Sequence, residues 1–157
     1  MRSAFDLADT LIPSMDSFPL EARPRGFLSW FVSTEPLRQG TRQLMQELSR
    51  QGHELWIYTT SLRSPFEVKV NLRCYGIHVR GVINGKHHEK EMAKRGPDYL
   101  SLLKFPPAFE IDLLVDNCEG VLRDAEQRGF ALVQVHPDDE QWADKVLAVV
   151  QETRWAT

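Results

Sequence analysis

The chain has 157 residues, 42% of them apolar and 26% charged, with 19 basic and 22 acidic side chains for a formal charge of −3. Such a chain is long enough to bury a core as one ordinary soluble domain, which excludes a collagen-like, fibrous or disordered protein. The near balance of charge argues against nucleic acid or an anionic membrane as a standing partner.

No apolar run reaches the ~18 residues of a membrane span. MRSAFDLADT lacks the apolar stretch of a signal peptide, so a cytoplasmic location is expected. Cys74 and Cys118 have neither CxxC nor Cys/His ligand spacing, and both are expected to be free, buried thiols.

Short apolar runs alternate with helix-period segments along the chain, which predicts a parallel sheet with crossover helices. The first run is Ala4-Phe5-Asp6-Leu7. Residues 12–35 follow, too long for an ordinary connection and rich in aromatics, and Phe18, Phe27, Trp30 and Phe31 are expected to tuck this flap onto the core. The alternatives are a flap over the sheet edge or a homo-oligomer surface. Leu37, Leu44, Met45 and Leu48 predict a helix over 36–51, stopped by Gly52, and Glu54 to Tyr58 a strand.

Ser64 and Pro65 open a predicted helix over 64–75 that Gly76 closes, with short extended pieces between Ile77 and Ile83. Asn84-Gly85 reads as a turn, and Lys86, His87 and His88 as its solvated continuation. Residues 86–109 are poorly periodic, with one short helix expected around Tyr99 to Lys104 before Phe105-Pro106-Pro107 breaks it. A strand is predicted over 110–116, a helix over 119–128 stopped by Gly129, a strand over 130–135 and a last helix from Pro137 to about Val150.

The predicted order brings the polar ends of the first, second and fourth strands to one sheet edge, where α/β proteins bind ligands. Those ends carry Asp6, then Thr59-Thr60-Ser61, then Asp116-Asn117, and basic residues lie between them at Lys86, Lys90, Lys94 and Lys104. An Asp after an apolar run is a turn former as readily as a nucleophile, so Asp6 draws its weight from this company. Two carboxylates at one edge repel unless a cation lies between them, and the group is therefore expected to hold Mg²⁺.

The order and strand placement of these pieces, over residues 4 to about 135, resemble the haloacid dehalogenase-like (HAD) superfamily, mostly Mg²⁺-dependent phosphohydrolases. The resemblance implies a three-layer, Rossmann-like α/β fold with a mainly parallel sheet and helices on both faces. It implies a single domain over 1–157, with the insertion at 12–35 standing where a full cap domain is missing. It assigns Asp6 as nucleophile, Thr59 as phosphate-binding hydroxyl and Lys94, alternatively Lys90, as the lysine that steadies the phosphoryl group. The metal ligands it implies are Asp6, the backbone carbonyl of Ala8, Asp116 and Asn117, and the substrate a phosphorylated small molecule or a phosphoprotein.

Two departures from the family pattern bear on activity. Ala8 stands where the family's hydrolases carry a second Asp as general acid and base, and Asp9, one residue on, points to the other side of an extended segment. Asn117 replaces an acid and removes one negative charge from the metal site. The expected activity is thus a slow or narrow phosphatase working through an aspartyl phosphate. The rival is a catalytically impaired domain kept for phosphoryl or metal binding or for assembly. Asp6-Leu7-Ala8-Asp9-Thr10 also resembles the Asp-x-Ala-x-Thr of phosphonate hydrolases, the lower-ranked alternative.

Overall fold

The computed structural model of the chain describes residues 1–15, 17–27, 30 and 33–155, with backbone alone for Arg154 and Trp155. Five strands, β1 (Arg2–Phe5), β2 (Glu54–Tyr58), β3 (Gly81–Ile83), β4 (Leu113–Asp116) and β5 (Leu132–Gln134), form one sheet in the order β3-β2-β1-β4-β5. Every pairing is parallel. The helices are α1 (Thr41–Arg50), α2 (Pro65–Cys74), α3 (Gly85–Arg95), α4 (Glu119–Arg128) and α5 (Trp142–Trp155), with 3₁₀ turns at Pro97–Tyr99 and Pro106–Phe109.

Alternation along each strand separates two cores. Phe5, Ile57 and Val115 face one side and pack with Leu44, Met45 and Leu48 of α1, Val68 and Leu72 of α2, and Val146 and Val150 of α5. Ala4, Tyr58 and Leu114 face the other, with Val121 of α4, while Met92 of α3 packs with Leu102 and Phe105. Helices therefore cover both faces, and the fold is a three-layer, Rossmann-like α/β arrangement. No helix among the described residues is long and apolar enough to cross a membrane.

Local chemistry explains where most elements start. The Ser64 hydroxyl accepts the Glu67 N–H while the Glu67 carboxylate accepts the Ser64 N–H, a closed capping box ahead of Pro65. Gly81 admits the Trp56 ring from the neighbouring strand, which lies 2.1 Å from where a Cβ would stand.

Several expectations need correction. Asn84 is not in a turn: its side chain accepts the His87 N–H and caps α3, which occupies the stretch expected to be irregular. The buried face of α3 consists of Gly85, His88 and Met92, so its helical spacing carries almost no apolar signal. Residues 99–104 form no α-helix. The first long helix starts at Thr41 instead of residue 36, and Arg38, within the expected span, lies ahead of it and is buried. Cys118 is exposed and Cys74 half-buried, so neither is a fully buried thiol.

In the 12–35 segment, Phe18 is tucked in against the Arg38 guanidinium, whereas Phe27 and Trp30 are exposed. Phe31 lies outside the described residues. The segment is tied down by a bridge between Leu20 and Arg38 and by the Tyr75 hydroxyl, which donates to the Glu35 carbonyl at 2.9 Å.

Candidate functional site

β1 lies between β2 and β4, and the chain covers one face of the sheet on its way to β2 and the other on its way to β5. The crevice beyond the β1 and β4 ends is thus the topological switch point of the sheet. Phe5 is in register with Ile57 and Val115, so the next residue, Asp6, stands beside Tyr58 and Asp116. The Asp6 N–H continues the pairing by donating to the Val115 carbonyl at 2.9 Å. Asp6 and Asp116 follow Ala4 and Leu114 by two residues and project on the same face as Tyr58.

The cation between them belongs to the chain. Lys104 Nζ is 2.5 Å from Asp6 Oδ1 and 2.6 Å from Asp116 Oδ2. All three side chains are buried, Lys104 with 2% of its surface exposed. Asp116 Oδ1 also accepts the Cys118 N–H at 2.9 Å, which fixes the carboxylate against the start of α4. The Thr10 hydroxyl lies 3.4 Å from Asp6 Oδ2 and 3.2 Å from the Asn117 amide oxygen, so these two oxygens look toward a common point.

Burial raises the Asp6 pKa to about 6; the Lys104 ammonium works in the opposite direction, and the Asp116 charge adds to the rise. At neutral pH Asp6 is accordingly ionised in a site poor in water.

The sequence assignments divide. Asp6, Asp116 and Asn117 come together as expected. Lys94 does not join them: it is exposed on α3 and paired with Glu91 at 3.1 Å, one turn away on the same helix. Lys90, the alternative, is also exposed on α3. Lys104 stands in the place expected of either. Thr59 is buried at the end of β2, and its hydroxyl accepts the Ser61 N–H at 3.1 Å and bonds the Ser61 hydroxyl at 3.2 Å.

Ala8 is exposed and brings no titratable group. Asp9, in the left-handed region at φ 57, spends both carboxylate oxygens on Ser14, accepting its N–H at 2.9 Å and its hydroxyl at 3.0 Å. It holds a turn together and does not stand in for the missing acid.

Tyr58 and His88 are site residues that the sequence reading missed. The Tyr58 ring centroid lies 5.7 Å from Lys104 Nζ. The Tyr58 hydroxyl accepts the Phe105 N–H at 3.0 Å and bonds His88 Nδ1 at 2.6 Å. His88, expected in a solvated turn, is buried.

Among the described residues, no three His, Cys, Asp or Glu side chains gather as a metal-ligand set. Both Asp116 oxygens are taken, by Lys104 and by the Cys118 N–H, so a cation here would rest on Asp6 Oδ2 and the Asn117 amide oxygen, which face the Thr10 hydroxyl. That set fits a hard dication such as Mg²⁺, which takes one or two carboxylates from a protein and keeps several waters. With Lys104 balancing one of two carboxylates, the cluster retains one negative charge to attract it.

No family model matches this chain, and no curated protein matches it either. Among solved structures, hypothetical protein PH1952 from Pyrococcus horikoshii OT3 aligns at 19% identity and a TM-score of 0.33, over 85% of this chain. This chain spans 40% of the length of that protein.

Proposed function

We propose that the switch-point cluster is a HAD-like phosphoryl-transfer site that hydrolyses phosphoric monoesters slowly with Mg²⁺. The observation that supports this reading best is the Lys104 ammonium held between Asp6 and Asp116 at the end of adjacent parallel strands. A carboxylate kept ionised and oriented by a buried cation is a competent nucleophile, and the same ammonium offsets charge on an entering phosphoryl group. The substrate is a phosphorylated small molecule or a phosphoprotein.

In this reading Asp6 attacks phosphorus through a carboxylate oxygen, and the ester P–O bond breaks as the new P–O bond forms. Ala8 has no proton to give, so the departing oxygen takes one from water. A second water then attacks the aspartyl phosphate, releasing inorganic phosphate and restoring Asp6. Asp6 and Asn117, with Asp116 and the Ala8 carbonyl as the resemblance implies, would hold Mg²⁺, which would supply charge neutralisation for the phosphoryl group. Thr59, with Ser61, offers hydroxyls to the same group. The phosphonate-hydrolase alternative remains subordinate, because Lys104, the lysine of the cluster, is held as an ammonium between Asp6 and Asp116 and is not free to activate a carbon leaving group.

Turnover of p-nitrophenyl phosphate, whose phenolate leaves without a proton, is the test. It is expected to require Mg²⁺, to vanish in Asp6→Asn and to fall as pH drops below about 6, where Asp6 takes up a proton. Thr59→Ala is expected to raise KM more than it lowers kcat. Turnover that survives Asp6→Asn contradicts the assignment. Binding of phosphate and Mg²⁺ without turnover favours the second reading, a domain kept for binding or assembly, for which Ala8 and the committed Asp9 speak.

A further inference from the structure

The geometry points to Tyr58 and His88 as a clamp that positions Lys104, an inference that rests on Lys104 being the cation of the proposed site. Lys104 leaves a stretch of chain without regular structure, between the two 3₁₀ turns. Its side chain is long and has several free rotations, so burial between two carboxylates needs an anchored backbone. The anchors are the peptide group that follows it and the one two residues before it. The Leu102 carbonyl is bonded to His88 Nε2 at 2.9 Å, and the Phe105 N–H donates to the Tyr58 hydroxyl at 3.0 Å.

The hydrogen atoms of this network follow from the partners. A carbonyl only accepts, so His88 Nε2 carries the proton. In the neutral ring Nδ1 is then an acceptor and takes the Tyr58 O–H, at 2.6 Å. The Tyr58 oxygen keeps a lone pair for the Phe105 N–H. Burial pushes the His88 pKa down and the Tyr58 pKa up, so both side chains stay in the neutral forms that the chain of bonds requires. The Tyr58 ring also lies alongside the ammonium. A side chain from β2 and one from α3, neither of which bears the charges of the cluster, thus decide where its cation stands.

Proton exchange between the Lys104 ammonium and water, followed by NMR on lysine-labelled protein, tests the clamp. Tyr58→Phe keeps the ring but strips the Phe105 N–H and His88 Nδ1 of their partner, and is expected to speed that exchange about tenfold. Val146→Ala, in the core of the opposite face, loosens the fold without touching the clamp and is expected to leave the exchange unchanged. Unchanged exchange in Tyr58→Phe overturns the clamp, as does equal acceleration in both variants. Should Tyr58→Phe not fold, His88→Phe, which removes both histidine bonds, is measured in its place with the same two outcomes. The readout is the ammonium and not turnover, so the clamp can fail while Asp6 still acts as nucleophile, and can hold if it does not.

Discussion

Asp6, Lys104 and Asp116 bring two negative charges and one positive charge into a space nearly closed to water, which leaves one surplus negative charge. The unfolded chain releases the Asp6 proton near pH 3.9, the native state near 6. Between those values the native state binds more protons, so this group's contribution to stability is full below about pH 4 and is lost as pH rises through about 6. Asp6→Asn removes that loss and leaves a balanced pair. Relative to the parent chain it is expected to gain stability as pH is raised from about 4 to about 7. Lys104→Met strands two facing carboxylates and is expected to cost about 3–5 kcal/mol at neutral pH, with part of the loss recovered in acid. Urea denaturation of the three proteins at both pH values checks the pair of outcomes. An Asp6→Asn variant whose relative stability ignores pH contradicts the raised pKa.

Asp6, Asp116 and Asn117 were legible in the sequence because each follows an apolar strand. The lysine was not, because four lay between the strands and the choice rested on resemblance. A physical signal does separate them: Lys104 stands in Leu102-Leu103-Lys104-Phe105, where an ammonium among apolar neighbours is buried and needs carboxylate partners. Lys86, Lys90 and Lys94 stand among polar residues that keep their helix face in water.

Among the elements, β2 and α4 were readable to the residue, since a β-rich run between turn formers and an amphipathic segment ended by Gly129 leave little choice. α3 was not readable, because its buried face is a glycine, a histidine and a methionine. The start of the helix expected over 36–51 was misread for a similar reason: the buried side chain there is charged. The Arg38 guanidinium stacks between Phe18 and Trp142, 4.7 and 4.8 Å from their ring centroids. It donates to the His136 and Asp139 carbonyls, each at 2.8 Å, and so fastens the insertion to the loop between β5 and α5.

Truncation of Arg38 would take its bonds from those two carbonyls, leaving them only the Asp139 and Trp142 N–H groups, and would leave two aromatic rings without their filling. Arg38→Ala is expected to cost about 3 kcal/mol or more, and Arg38→Lys to recover little of it, since an ammonium cannot reproduce a planar fork between two rings. Urea midpoints of the two variants decide; recovery by lysine would mean that charge alone matters there.

At the scale of the whole molecule, the reversal of strand order at β1 is what makes the site. It opens a crevice where β1 and β4 end side by side, with Asp6 just past the end of one and Asp116 at the end of the other. α3 and the 3₁₀ turns carry Lys104 over that crevice, while Asp9 is held by Ser14 and adds no acid to it. In the proposed reading the cluster can form an aspartyl phosphate, while Ala8 stands where the general base that would hasten its breakdown is expected, a group worth ~10²–10⁴-fold.

The intermediate is therefore expected to accumulate. Protein mixed with Mg²⁺ and p-nitrophenyl phosphate, quenched in acid and digested, is predicted to show one phosphoryl group on the peptide that holds Asp6, with a matching burst of p-nitrophenol and neither signal in Asp6→Asn. A phosphoryl group on another residue, or none on any peptide, would contradict the account.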